Sequence, residues 1–120
     1  MIRRRTILLV DDNVVGLSKL KADLEKTYEL LTAGDGVEAV YMFERHAPRI
    51  AAIVTGLHLP RLNGDLLAEW VHHIKPRLPI VIISDEEVSA ARSTRAVQTL
   101  ARSFGAKQLQ HVLRGALAQQ

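Results

Sequence analysis

The chain has 120 residues, which is one ordinary domain and leaves no room for two. Hydrophobic residues make up 48% and charged residues 24%, the balance of a soluble globular protein that can bury a core without covalent staples. There is no cysteine, which excludes a disulfide scaffold, a thiol nucleophile and a thiolate metal site, and the formal charge is a modest +3.

The chain opens Met1-Ile2-Arg3-Arg4-Arg5, and residues 1–5 read as a basic, solvated tail. The apolar stretch that follows is too short for a secretory signal and lacks a small-residue cleavage site, so the expected compartment is the cytoplasm. No apolar run approaches the roughly 18 residues that a membrane-spanning helix needs.

Ile7-Leu8-Leu9-Val10 is a short apolar run stopped by Asp11-Asp12 and reads as a fully buried strand. Val14, Leu17, Leu20 and Leu24 recur at spacings of three and four, predicting an amphipathic helix to about Lys26. Tyr28 to Ala33 is a second strand, and Gly34-Asp35-Gly36 is turn chemistry. Asp35 with Glu38 resembles a capping box, opening a helix that buries Ala39, Val40 and Phe43 and is closed by Pro48. Ile50 to Thr55 is a third strand, followed by a loop holding Pro60, Asn63 and Gly64. Leu66, Leu67, Trp70, Val71 and Ile74 mark a helix ended by Pro76, with Trp70 expected in the core. Ile80 to Ile83 is a fourth strand, stopped by Ser84-Asp85. Glu86 to about Ala96 reads as a short helix, and Val97 to Ala101 as a weaker fifth strand. Gly105 starts a last helix with Leu109, Val112, Leu113 and Leu117 inward.

Five strands alternating with five helices make a βαβ series, hence an α/β fold: a parallel sheet with helices on both faces. Ligands of such sheets sit at the carboxyl ends of the strands. The residues to weigh are therefore Asp11, Asp12, Thr55 or Gly56, Ser84 and Arg102. Two adjacent carboxylates at a strand end can hold a hard cation such as Mg²⁺.

Leu8-Leu9-Val10-Asp11-Asp12-Asn13, Ala33-Gly34-Asp35-Gly36-Val37-Glu38-Ala39, Leu59-Pro60-Arg61-Leu62-Asn63-Gly64 and Pro79-Ile80-Val81-Ile82-Ile83-Ser84, in this order and spacing, carry a resemblance. The chain resembles the receiver domains of two-component response regulators over almost its whole length, as a single receiver-like domain of residues 1–120. The resemblance implies a flavodoxin-like fold with strand order 2-1-3-4-5. It also implies a site where an aspartate at the end of the third strand takes a phosphoryl group from a histidine kinase. Counting back four residues from Pro60 puts Gly56 at that position, so the acceptor carboxylate is missing, and the nearest carboxylates, Glu44 and Asp65, are expected on helices. The family's strand-end hydroxyl is kept as Ser84. Its usually small neighbour is Asp85, its lysine aligns with Arg102, and its aromatic switch residue aligns with Thr99. The fourth helix region is shortened.

These departures are coherent and point to a degenerate, non-enzymatic pseudo-receiver that serves as a protein-interaction module in signal transduction. Mg²⁺ is expected to bind weakly or not at all at Asp11 and Asp12, and no other cofactor is expected. An Asp11/Asp12–Arg102 ion pair is one expected replacement for the metal–phosphate centre; Arg102 pointing into solvent is the other. Two other readings are kept. One is an active receiver that uses Asp11 or Asp12 as surrogate acceptor; the other is a nucleic-acid-binding accessory domain. His58, His72 and His73 carry no ligand pattern; His72 and His73 are expected at the surface.

Charge is distributed unevenly. Residues 1–87 hold 11 Lys/Arg against all 13 carboxylates, a balance of −2, whereas residues 88–120 hold Arg92, Arg95, Arg102, Lys107 and Arg114 and no carboxylate, a balance of +5. In the family this stretch is the usual output and dimerisation surface. The expected partners are a histidine kinase or downstream regulator, or a second copy of the chain bound through this C-terminal face. Nucleic acid is disfavoured, because Phe104 is the only aromatic in the stretch and base stacking needs more.

Overall fold

The structure is a computed structural model and describes residues 4–86 and 96–118. Five strands form one sheet: β1 (Thr6–Val10), β2 (Glu29–Ala33), β3 (Ile50–Gly56), β4 (Ile80–Ile83) and β5 (Val97–Leu100). All pairings are parallel, and the order is β2-β1-β3-β4-β5. This is the flavodoxin-like arrangement expected. Four helices are described: α1 (Val14–Leu24), α2 (Gly36–His46), α3 (Gly64–Ile74) and α4 (Ala106–Ala118). The short helix expected between Glu86 and Ala96 falls almost wholly outside the described residues.

Side chains alternate along each strand, so the continuous apolar runs divide between two cores. Leu8, Val10, Ile53, Ile80 and Ile82 face Ala39 and Phe43 of α2 and Leu67, Ala68 and Val71 of α3. Ile7, Leu9, Ala52, Val54, Val81 and Ile83 face Leu20 and Leu24 of α1 and Leu109, Leu113 and Leu117 of α4. Trp70 packs edge-on against Phe43, with ring centroids 5.6 Å apart, and is partly buried.

Three expectations need correction. Val14 shares the spacing of the buried face of α1 but is 80% exposed, as the first residue of the helix. The helix ends at Leu24 and not Lys26, and the Arg4 guanidinium donates to the carbonyls of Glu25 (3.1 Å) and Lys26 (3.2 Å). Arg5 likewise donates to the Leu117 carbonyl near the end of α4 at 3.1 Å. Arg4 and Arg5 are thus not a loose tail. They satisfy carbonyls at helix C-termini, where a cation also complements the helix dipole.

The loop after β3 is drawn tight beneath the strand end. The Gly64 N–H donates to the Leu57 carbonyl at 2.7 Å, and a Cβ at Gly64 would run into the carbonyl of Gly56. Only glycine lets α3 start this close to β3. Leu113 is fully buried between α4 and the sheet. Leu113→Ala should cost about 2–5 kcal/mol through lost burial and the cavity left behind, whereas Gln108→Ala on the exposed face should stay within about 0.5 kcal/mol; urea unfolding measures both.

Candidate functional site

A cleft of about 640 Å³ opens at the carboxyl edge of the sheet, lined by Asp11, Asp12, Asn13, Val15, Gly16, Gly56, His58, Ile83 and Arg102. Its first wall is the turn from β1 into α1. Asn13 caps the helix, its side-chain oxygen accepting from Val15 N (2.8 Å) and Gly16 N (3.0 Å). Asp11 Oδ1 accepts the Asn13 N–H at 2.9 Å, and a Cβ at Gly16 would strike the Asp11 carboxylate. Asp11 is therefore folded back onto the helix start and half-buried, and of the two aspartates Asp12 is the exposed one.

Gly56 ends β3 at the cleft and contributes no side chain. Its neighbour Thr55 is fully buried and donates its hydroxyl to the Gly56 carbonyl at 2.9 Å. A Cβ on Gly56 would meet only Leu59 Cδ2, at an ordinary 3.6 Å, so the strand end has room for a side chain. Glu44 and Asp65 lie on α2 and α3, as expected.

The far wall comes from the ends of β4 and β5. The Ser84 hydroxyl is turned into its own loop, accepting from Glu86 N at 2.9 Å and donating to Glu86 O at 3.3 Å. The exposed Asp85 carboxylate accepts the Arg102 N–H at 3.1 Å. His58 Nε2 lies 2.9 Å from Glu86 Oε2, joining two loops at the cleft mouth.

The family model described as the response regulator receiver domain matches residues 7–114. The chain belongs to the response regulator receiver family. It is 34% identical over 86 residues to the alkaline phosphatase synthesis transcriptional regulatory protein PhoP of Bacillus subtilis, covering 69% of this chain and 35% of that protein. It is similar at 34% identity to a protein-glutamate methylesterase/protein-glutamine glutaminase of Nitrosospira multiformis, covering 65% of this chain and 22% of that one. The receiver thus spans about a third or less of the length of these curated relatives. Among solved structures, a receiver domain protein of Clostridium thermocellum shares the fold at TM-score 0.87, with 22% identity, covering 96% of this chain and 95% of that chain. The receiver domain of a Pseudomonas aeruginosa sensor histidine kinase is 28% identical at TM-score 0.81, covering 96% of this chain and 98% of that chain; it has a magnesium ion coordinated in its active-site cleft.

In this receiver the anticipated Asp11/Asp12–Arg102 ion pair is not among the contacts of the described residues. Asp11 Oδ1 accepts the Asn13 N–H, and Arg102 engages Asp85 through its backbone while its exposed side chain lines the cleft. Among the described residues, no group of three or more His, Asp and Glu stands close enough to hold a metal ion. Thr99 is exposed on β5. Lys107 and Arg114 are exposed on α4, and Arg92 and Arg95 lie outside the described residues. His73 is exposed, but His72 is half-buried with Nε2 2.8 Å from the Leu78 carbonyl, so it fastens the turn before β4.

Beyond the cleft lining, some contacts carry no sequence signal. Lys19 of α1 donates to the Phe104 carbonyl at 3.2 Å and sits 4.3 Å from the Phe104 ring centroid. The partners are 85 residues apart in the chain, so no local spacing announces them. The capping pattern at Asp35 was legible, but only half of it is a capping interaction. Asp35 Oδ1 accepts from Glu38 N at 2.8 Å, and Oδ2 takes the Arg61 guanidinium at 2.8 Å. That ion pair holds Arg61, whose φ of 68° is left-handed and unusual for a side-chain-bearing residue.

The Glu38 N–H and then the Arg61 guanidinium hold the Asp35 carboxyl below its ordinary pKa. A depressed native pKa adds stability above the unfolded value, lost as pH falls through the native value. Asp35→Ala should therefore lower the urea midpoint at neutral pH, and the gap to wild type should narrow in acid; midpoints across pH 2 to 7 (roughly the carboxylate range) check this.

Proposed function

We propose that this receiver works as a phosphorylation-independent pseudo-receiver, a non-enzymatic module whose output is set by protein binding. Gly56 carries the reading: counting back from Pro60 assigns it the family's phosphoacceptor position, and it ends β3 at the cleft without a carboxylate of its own. The surroundings support it. Asp85 brings negative charge beside any incoming phosphoryl group, and the Ser84 hydroxyl is engaged within its own loop. Arg102 replaces the lysine of the family, and Thr99 its aromatic switch.

Magnesium is expected to bind weakly or not at all. Mg²⁺ demands near-ideal octahedral oxygen ligation. Asp11 and Asp12 are a poor fit without a third carboxylate, and one Asp11 oxygen already accepts a backbone N–H. The partner would be a histidine kinase or a downstream regulator in the cytoplasm, or a second copy. The carboxylate-free stretch of residues 88–120, which carries Arg92, Arg95, Arg102, Lys107 and Arg114, would attract an acidic protein surface.

Intact-mass measurement after incubation with a small phosphodonor and Mg²⁺ tests the reading. No added phosphoryl group is expected; a stable adduct would overturn it, and loss of that adduct in Asp11→Asn or Asp12→Asn would identify a surrogate acceptor. Gly56→Asp should fold, because a side chain has room there, and should tighten Mg²⁺ binding by about tenfold or more in calorimetric titration.

A further inference from the structure

Three consecutive residues after β4 reach in three directions. The Ser84 N–H donates to the Leu100 carbonyl of β5 at 2.9 Å, carrying the strand pairing one step further. The Asp85 carboxylate accepts the Arg102 N–H at 3.1 Å. The Glu86 carboxylate meets His58 Nε2 at 2.9 Å, on the loop after β3. Beyond Arg102 the path continues, since Lys19 of α1 holds Phe104 by its carbonyl and its ring. A line of contacts therefore runs round the cleft from α1, through the β5–α4 loop and Ser84–Glu86, to the β3–α3 loop.

We infer that Ser84-Asp85-Glu86 is a clip that holds the loops of the cleft rim in one conformation, with Asp85 as its central link. The inference rests on the pseudo-receiver reading and deepens it: an output that no phosphoryl group switches is served by a rim that does not switch. The Ser84–Leu100 bond joins buried residues, whereas the Asp85 and Glu86 side-chain contacts are exposed and weak by themselves. They reinforce one another because they spring from adjacent residues, so ordering three residues of backbone serves all of them. Alanine at position 85 would leave the Arg102 N–H without its side-chain acceptor, and the Ser84 hydroxyl, held by Glu86, is not free to turn into the cleft. The rim's stillness is then a property of the loop chemistry, independent of what fills the cleft.

Backbone amide relaxation dispersion and hydrogen exchange on the full chain at neutral pH test the clip. Flat dispersion profiles are expected for Ser84, Leu100 and Arg102 in the wild type. Asp85→Ala should speed exchange of the Arg102 amide by about tenfold, the worth of one hydrogen bond, and bring millisecond broadening to Ser84 and Leu100. Asp85→Asn, whose amide oxygen still accepts, should resemble the wild type. Millisecond exchange at Ser84 and Arg102 in the wild type, or an Asp85→Ala variant with unchanged profiles, would overturn the clip. The phosphodonor experiment separates the two ideas. A wild type that takes a phosphoryl group yet has flat profiles refutes the pseudo-receiver and keeps the clip; one that takes none yet exchanges does the reverse.

Discussion

All five strands run parallel, and a parallel sheet must be covered by crossover helices on both faces. Everything else follows from that burial. The central strands β1, β3 and β4 are apolar along almost their whole length, so polar chemistry is driven out to their ends. Parallel direction then sends every carboxyl end to one edge. Asp11, Gly56, Ser84 and Arg102 come from four separate stretches of chain, and this constraint alone gathers them at one cleft or its rim.

The cleft's character is set by how local hydrogen bonds consume its charges. Asp11 leans on the Asn13 N–H and packs against Gly16, so it is less available than its place at a strand end suggests. Asp85 spends its carboxylate on the Arg102 backbone, and Glu86 on His58. The Arg102 side chain and Asp12 are left facing water. These arrangements tie the loops of the cleft rim to one another through their own hydrogen bonds. A backbone N–H wins the competition for Asp85 because it is already fixed at the end of β5, whereas the arginine side chain must lose rotamer freedom to pair.

Much of the fold was legible because the signals were strong and local. Ile80–Ile83 is the strand the apolar run predicted, and Asn63 sits in the predicted loop, where it caps α3 just before Gly64 opens the helix. Leu109, Leu113 and Leu117 face inward as their spacing requires. Errors fell where tertiary partners decide. Arg4 and Arg5 looked like a solvated tail, yet they cap helix ends that only the folded chain brings near. Val14 fits the apolar period of α1, but at the helix's first residue it is left exposed. His72 looked like a surface histidine until the turn after α3 brought the Leu78 carbonyl against it.

By itself the sequence determined the βαβ order, the division of apolar residues and the glycine at the end of β3, because periodicity and residue identity are properties of the chain. Only the tertiary structure decided which charged group meets which. The Asp11/Asp12–Arg102 pair was chemically reasonable, and the fold chose Asp85 for the Arg102 N–H and Asn13 for Asp11 instead. Opposite charges in one sequence have many candidate partners. Hydrogen bonds need atoms within about 3 Å at a near-linear angle, and that selection exists only once the loops have been set at the edge of the sheet.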